Sequence, residues 1–149
     1  MVMRESLGGC ALIVGERDGQ RVYLANWNEK WHAWSWVGGH KRDDESFREC
    51  VVREVHEELG LDPATDYTVA ERELKRLDNV AMSASAGAVT NYVLVWFAVQ
   101  LAPAAIARLA DNTQVRWLTE REIIDLHTAD GQPVSSTMLK LIETLGPSS

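Results

Sequence analysis

The sequence is poor in cysteine and has no long hydrophobic run. Its two cysteines, Cys10 and Cys50, are too few for a disulfide framework, which favours a reducing, cytoplasmic environment. No apolar stretch approaches the ~20 residues of a membrane span or has the layout of a signal peptide, so we expect no membrane association. Basic residues are outnumbered, 15 against 22 acidic residues, for a formal net charge of −7. This balance argues against binding of a nucleic acid polymer, which requires a basic surface.

Hydrophobic residues make up 46% of the 149 residues, enough for one compact domain over residues 1–149. Hydrophobic periodicity predicts strands at 9–14, 21–26, 34–37, 67–77, 92–99 and 115–118. Capping and spacing predict helices at 46–59, 103–110, 119–126 and 136–145. The small residues of 78–88 predict a mobile loop. Helices placed between strand groups indicate an α/β fold, a mixed sheet flanked by helices on both faces.

Three glutamates of the predicted helix 46–59 are its most unusual feature. Glu54, Glu57 and Glu58 have the i, i+3, i+4 spacing that brings side chains together on one face. Like charges at this spacing repel, and anions in the last turn oppose the helix dipole. A hard divalent cation such as Mg²⁺ would turn this repulsion into coordination, because it prefers oxygen ligands. From the three carboxylates alone, a solvated face in which Arg53 pairs with Glu57 is the stronger interpretation.

The spacing of the whole segment reverses that preference, because it resembles the signature of the Nudix hydrolase family. That signature is a glycine, five residues, a glutamate, seven residues, and then Arg-Glu-apolar-any-Glu-Glu-any-Gly-apolar. Every required position is filled, by Gly39, Glu45, Arg53, Glu54, Val55, Glu57, Glu58, Gly60 and Leu61. With ordinary residue usage, a chance match at one starting point is on the order of one in a billion.

The resemblance implies a Nudix-type αβα sandwich and a metal site. Nudix proteins typically cleave a diphosphate bond in a nucleoside diphosphate linked to another group, using Mg²⁺ or Mn²⁺. Carried over to this chain, the resemblance makes Glu57 and Glu58 principal metal ligands and Glu54 a third ligand or the base that activates water. It also implies a backbone carbonyl ligand from Gly38 or Gly39. Two further side chains would support the site, Arg53 by orienting the glutamates and Glu45 by holding the loop or the metal shell.

The chain departs from common Nudix patterns in two ways. Val37 stands where many members have proline, and residues 111–117 lack the glutamate that many carry before a late tryptophan-containing strand. Either Asp111 substitutes for that glutamate or Glu54 acts as the base alone. Markers of the subfamilies for ADP-ribose, dinucleoside polyphosphates, NADH and coenzyme A are also missing. The signature therefore indicates the type of bond and leaves the substrate open.

Residues around the signature are candidates for substrate binding. Four tryptophans lie just before it, and Trp31, Trp34 or Trp36 could stack on a base, as could Trp27, although tryptophan is more often a core residue. His40 follows the glycine pair and is close enough in sequence to approach phosphates. Lys41 and Arg42 could offset phosphate charge, although such residues are more often solvated.

The leading hypothesis is therefore a cytoplasmic, Mg²⁺-dependent hydrolase of a small nucleotide-like diphosphate, with water as nucleophile. The substrate would be a nucleotide sugar, a dinucleotide or a nucleoside triphosphate. Two alternatives remain: a catalytically silent Nudix-fold sensor of a nucleotide metabolite, and a binding module in which the acidic helix is structural. Many family members are dimers, so a homodimer is left open.

Overall fold

A computed structural model describes residues 4–83 and 87–145 of the chain. Seven strands and four helices occupy these residues. In chain order they are β1 (Arg4–Arg17), β2 (Gln20–Asn28), β3 (Ala33–His40), α1 (Phe47–Leu59), β4 (Tyr67–Val69), β5 (Lys75–Ser83), β6 (Ala88–Leu101), α2 (Pro103–Leu109), β7 (Val115–Thr119), α3 (Glu120–Asp125) and α4 (Ser136–Leu145). None of the helices in the described residues is both long enough and apolar enough to cross a membrane.

The strands form one mixed sheet in the order β4-β6-β1-β3-β2-β7, and β5 pairs with the same side of β6 as β4 does. β1 and β6 are parallel, from Arg4 opposite Thr90 to Ile13 opposite Val99, whereas the other pairings are antiparallel. The turn between β1 and β2 places Asp18 and Gly19 at positive φ, the conformation that a two-residue hairpin turn requires.

Helices cover both faces of this sheet, as the sequence predicted. Val51, Val55 and Leu59 of α1 are buried on one face together with Ala105 and Leu109 of α2. α3 and α4 cover the other face, and their buried residues pack with Trp34, Trp36 and Trp96. Because consecutive strand residues point to opposite faces, β1 and β6 contribute to both cores. The fold is thus an αβα sandwich in which α1 lies against β3, the strand that carries the glycine pair.

Most predicted elements are confirmed, but the region 67–88 differs. The predicted single strand 67–77 is two strands, β4 and β5, separated by residues 70–74. The predicted loop 78–88 is wrong for 78–83 and 88, which belong to the β5–β6 hairpin, while 84–86 lie outside the described residues. Small residues allowed a loop, but cross-strand pairing with the apolar strand β6 favours an extended conformation here.

Candidate active site

The helix α1 carries the acidic residues and is fixed at both ends by its own sequence. Ser46 accepts a hydrogen bond from the Glu49 N–H, and the Glu49 side chain accepts one from the Ser46 N–H, which completes a capping box. Gly60 ends the helix at φ 66°, a left-handed conformation that glycine adopts without strain. The orientation of the glutamates is therefore set by a helix with defined limits.

The glycine pair of β3 allows the helix to approach the sheet closely. A Cβ on Gly39 would lie 2.7 Å from Oε1 of Glu54, so the Glu54 carboxylate occupies the space that any other residue would fill. A Cβ on Gly38 would lie 2.3 Å from the carbonyl oxygen of Gly9 on β1. Gly38 is therefore required by strand pairing, whereas a side chain at Gly39 would displace the Glu54 carboxylate from its position.

Arg53 is the centre of an ion-pair network. Its guanidinium donates to both carboxylate oxygens of Glu45 at 3.0 and 2.7 Å, to Glu54 at 2.8 Å and to Glu57 at 3.2 Å. It also donates to the carbonyl oxygen of His40 at 3.0 Å. Hydrogen bonding to Arg53 lowers the pKa of Glu45 to about 2. Glu45 also accepts a hydrogen bond from the Arg42 N–H at 2.9 Å, so it holds the loop 40–45 against α1.

Glu58 lies in a different environment, deeper between the helix and the sheet. Its Oε2 accepts a hydrogen bond from the Gly38 N–H at 2.9 Å. Burial raises the pKa of the Glu58 carboxyl to about 8, and the charges of Glu54 and Glu57 act in the same direction. The side-chain amide of Asn26 on β2 favours the charged form. The protein thus supplies Glu58 with two hydrogen-bond donors but, within the described residues, with no cationic partner.

These residues fit a divalent cation by the chemistry of their donors. Three carboxylates and the Gly39 carbonyl supply the oxygen ligands that Mg²⁺ and Mn²⁺ prefer, and the absence of a Cβ at Gly39 leaves its backbone open to close approach. No three His, Cys, Asp or Glu side chains within residues 4–83 and 87–145 already converge as a metal site. Arg53 donates to one oxygen of Glu54 and one oxygen of Glu57, so a cation would compete with it for these ligands.

The tryptophans before the signature separate into core and surface residues. Trp34 and Trp36 are only 5% and 4% exposed, and their ring N–H groups donate to the Gln132 side chain and the Thr137 carbonyl. The prediction that these two stack on a base is therefore not supported, since their rings pack in the core on the α3–α4 face. Trp31 lies in the turn after β2 and is 56% exposed, so its ring is accessible to a ligand. Trp27 packs edge-on against Trp34.

The polar candidates lie around the mouth of the site. His40 is exposed at the end of β3, and its carbonyl is held by Arg53. An Arg42 guanidinium nitrogen lies 3.7 Å from a Glu57 oxygen, and the Lys41 ammonium lies 5.6 Å from the centre of the Phe47 ring. Asp111 is exposed in the turn after α2, and no described hydrogen bond or ion pair joins it to the glutamates. Of all these residues, only Arg42 contacts the acidic cluster through its side chain.

Two residues at the site were missed by the sequence reasoning. Asn26 belongs to β2, where register with Ser35 of β3 and Val115 of β7 brings it to the α1 face of the sheet. The Cys50 thiol lies 3.6 Å from the Gly39 carbonyl oxygen and 3.9 Å from an Arg53 nitrogen. The available signal for Asn26 was a polar residue at the end of the predicted strand 21–26, directly after four apolar residues. For Cys50, the signal was its position three residues before Arg53, one helical turn away.

Comparison with known proteins agrees with the fold and the signature. A family model described as NUDIX domain matches residues 8–141. The chain therefore belongs to the Nudix family, whose members are usually hydrolases of nucleotide diphosphates. No curated protein matches the chain in sequence at a significant level.

Several solved structures share the fold at low sequence identity. NrtR of Shewanella oneidensis, solved with a 27mer DNA, is 21% identical with a TM-score of 0.65, over 92% of this chain and 58% of that one. The chain thus spans less than two thirds of that protein. An Ap4A hydrolase of C. elegans is 16% identical with a TM-score of 0.62, over 97% of this chain and 96% of that one. The NUDIX domain of the same NrtR, solved with ADP ribose, is 17% identical with a TM-score of 0.61, over 97% and 87%.

Proposed function

We propose that the protein is a metal-dependent hydrolase of a diphosphate bond in a small nucleotide-like substrate, with water as nucleophile. The observation that carries the proposal is the placement of Glu54 over Gly39 beside Glu57 and Glu58, with Arg53 as the internal counter-ion of Glu54 and Glu57. A structural acidic helix would not need a glycine beneath one carboxylate. The complete signature supports catalysis over a silent fold.

Each residue has a proposed role in this reaction. Glu57, Glu58 and the Gly39 carbonyl would hold Mg²⁺ or Mn²⁺, and Gly38 keeps Glu58 in place through its N–H. The bound ion would supply charge neutralisation on the phosphate oxygens and a lower pKa for the attacking water. Arg53 would move from Glu57 towards Glu45 and Glu54 alone, so that one Glu57 oxygen becomes available.

The base that accepts the proton from water is Glu54 in this proposal, with Asp111 as the alternative. Glu54 is 13% exposed and adjoins the glycine pair, whereas Asp111 lies in an exposed turn. Asp111→Asn should therefore retain most of kcat, and Glu54→Gln should lose orders of magnitude. The reverse result would transfer the role to Asp111.

Hydrolysis of a nucleotide panel tests the function directly. The panel should hold sugar nucleotides, dinucleoside polyphosphates and nucleoside triphosphates, with product analysis to locate the cleaved bond. ADP ribose and Ap4A belong in it, because structural relatives bind or are named for them. We expect Mg²⁺-dependent turnover that Glu57→Gln or Glu58→Gln lowers by orders of magnitude while the circular dichroism spectrum is unchanged. Full rate in both variants would refute the assigned metal site.

The sensor alternative gives a different result in the same experiment. A silent Nudix-fold protein would show a nucleotide-dependent rise in Tm but no product. With a net charge of −7, we expect a catalytically silent protein of this sequence to bind a small metabolite rather than a nucleic acid polymer. Location in the cytoplasm and a homodimeric state are further parts of the proposal, tested by fractionation and by light scattering.

A further inference from the structure

Two cations share one aromatic ring beside the candidate active site. The Lys41 ammonium lies 5.6 Å from the centre of the Phe47 ring, and the Arg76 guanidinium carbon lies 5.1 Å from the same centre. The two charged groups are therefore less than about 11 Å apart. Such contacts stabilise each cation through the ring face and leave its N–H groups free to donate elsewhere.

Neither cation is neutralised by a strong ion pair. Arg76 has Glu73 as its carboxylate partner, at 3.4 Å, with both side chains 45% exposed, and such pairs contribute little. The Lys41 ammonium donates to the Arg42 carbonyl at 3.1 Å, and no carboxylate in the described residues forms an ion pair with it. Both cations are therefore available to an anion, and in a protein of net charge −7 they form a local positive site beside the acidic cluster.

The register of the sheet places this pair on the same face as the acidic cluster. The Lys41 N–H donates to the Leu7 carbonyl at 2.8 Å, extending the β1–β3 pairing in which Gly39 lies opposite Gly9. Arg76 lies opposite Val95, which is buried on the α1 face of the sheet. Lys41 is two residues beyond Gly39, about 7 Å along an extended strand. Lys41 is therefore placed to reach a phosphate chain that begins at the glutamates, and Arg76 shares the Phe47 ring with it.

We propose that Lys41 and Arg76, positioned by Phe47, bind a phosphate group of the substrate beyond the scissile diphosphate. The inference rests on the proposed function. It narrows the substrate class to compounds that carry at least one phosphate group in addition to the two of the cleaved diphosphate. Arg76 is outside the Nudix signature, on an edge strand of the sheet. It therefore gives this chain a means of selecting its substrate that the signature residues do not supply.

Binding of inorganic phosphates to the Mg²⁺-saturated protein tests the subsite without turnover. The probes are pyrophosphate and tripolyphosphate, measured by calorimetry on wild type, Lys41→Gln, Arg76→Gln and Lys75→Gln. Lys75 is the matched control, because it precedes Arg76 on the same strand and lies opposite Trp96, which packs in the core on the α3–α4 face. We expect Lys41→Gln and Arg76→Gln each to weaken tripolyphosphate binding about fivefold, with pyrophosphate binding unchanged, as for loss of one exposed charge pair. Lys75→Gln should change neither.

The same variants, assayed with nucleoside di-, tri- and tetraphosphates, separate this inference from the proposed function. If nucleotides are hydrolysed and kcat/KM for each of them is the same in Arg76→Gln as in Lys75→Gln, the proposed subsite is refuted and the proposed enzymatic function stands. If the protein binds tripolyphosphate more tightly than pyrophosphate through Arg76 but hydrolyses no nucleotide, the proposed enzymatic function is refuted and the phosphate subsite stands. Equal losses in Arg76→Gln and Lys75→Gln would show a general charge effect and refute the subsite.

Discussion

Arg53 and Glu45 form a two-point ion pair, with Nε of Arg53 donating to one carboxylate oxygen of Glu45 at 3.0 Å and a terminal nitrogen donating to the other at 2.7 Å. The side chains are only 17% and 11% exposed. The pair joins the loop after the glycines to the middle of α1, next to the glutamates that Arg53 also contacts. A guanidinium suits this position because its planar fork matches a carboxylate.

Arg53→Lys should therefore impair both stability and catalysis. Lysine keeps the charge but cannot donate to Glu45, Glu54 and the His40 carbonyl at once. We expect the free energy of unfolding to fall by about 1–3 kcal/mol, and kcat to fall about 10- to 100-fold, as for loss of a residue that orients metal ligands. Urea denaturation and initial rates measure the two effects. Arg121→Lys is the control, because its pair with Asp125 is exposed on α3 and should be worth less than about 0.5 kcal/mol.

Gly39→Ala should mainly lower activity, whereas Gly38→Ala should mainly lower stability. The Gly39 Cβ would displace the Glu54 side chain, so we expect a folded protein with weaker Mn²⁺ binding and kcat lowered about 100-fold. The Gly38 Cβ would meet the Gly9 backbone, so we expect unfolding to become easier by about 3 kcal/mol or more. Gly60→Ala controls for backbone strain, because no atom lies within 4 Å of its Cβ position, and should cost about 1 kcal/mol. A Gly39→Ala enzyme with normal rate would contradict the placement of Glu54.

Trp31→Ala and Trp34→Ala distinguish a binding role from a core role. Trp31 is exposed, so its removal should leave Tm within about 2 °C of wild type, and it should raise KM about fivefold or more if its ring stacks on a base. Trp34 is buried and hydrogen-bonded, so its removal should cost about 3–5 kcal/mol. Melting curves and KM for each accepted nucleotide are the measurements. An unchanged KM in Trp31→Ala for every nucleotide would remove base stacking by this residue.

Asp66→Asn should change the pH dependence of stability. Asp66 accepts a hydrogen bond from the Asp62 N–H at 2.7 Å and pairs with Arg108 at 2.5 Å, and these contacts lower its pKa below the ordinary value of 3.8. A lowered pKa in the folded state stabilises the protein above about pH 4, and this contribution is lost as pH falls through the folded pKa. Wild type should therefore exceed Asp66→Asn in Tm at pH 7, with the difference shrinking as the pH falls below about 4. A constant difference across that range would contradict the assignment.

The local parts of the fold could be predicted from the sequence because their signals are local. Ser46 and Glu49 define the start of α1, Gly60 defines its end, and the signature spacing brings the three glutamates together. The β5–β6 hairpin could not be predicted in the same way. Its pairs are close in sequence, from Ser83 opposite Ala88 to Lys75 opposite Trp96, but its small residues are compatible with either a loop or a strand.

The site was predicted where it follows the signature and missed where it depends on tertiary contacts. Asn26 reaches Glu58 only because β2 pairs with β3, and Arg76 reaches Phe47 only because β5 pairs with β6. The tryptophans show the same dependence on tertiary contacts. Alternation placed Trp34 and Trp36 on one face, but the sequence did not show that α4 covers that face.

The parallel pairing of β1 with β6 has a consequence for the order of folding. Its partners are 86 residues apart, from Arg4 opposite Thr90 to Ile13 opposite Val99. During synthesis, β1 can pair with β2 and β3 early but lacks β6 until Val99 has left the ribosome. Long-range pairing of this kind slows folding, because loop-closure entropy is lost before the contacts form. The acidic helix can therefore form early, whereas the sheet that fixes its position is completed late.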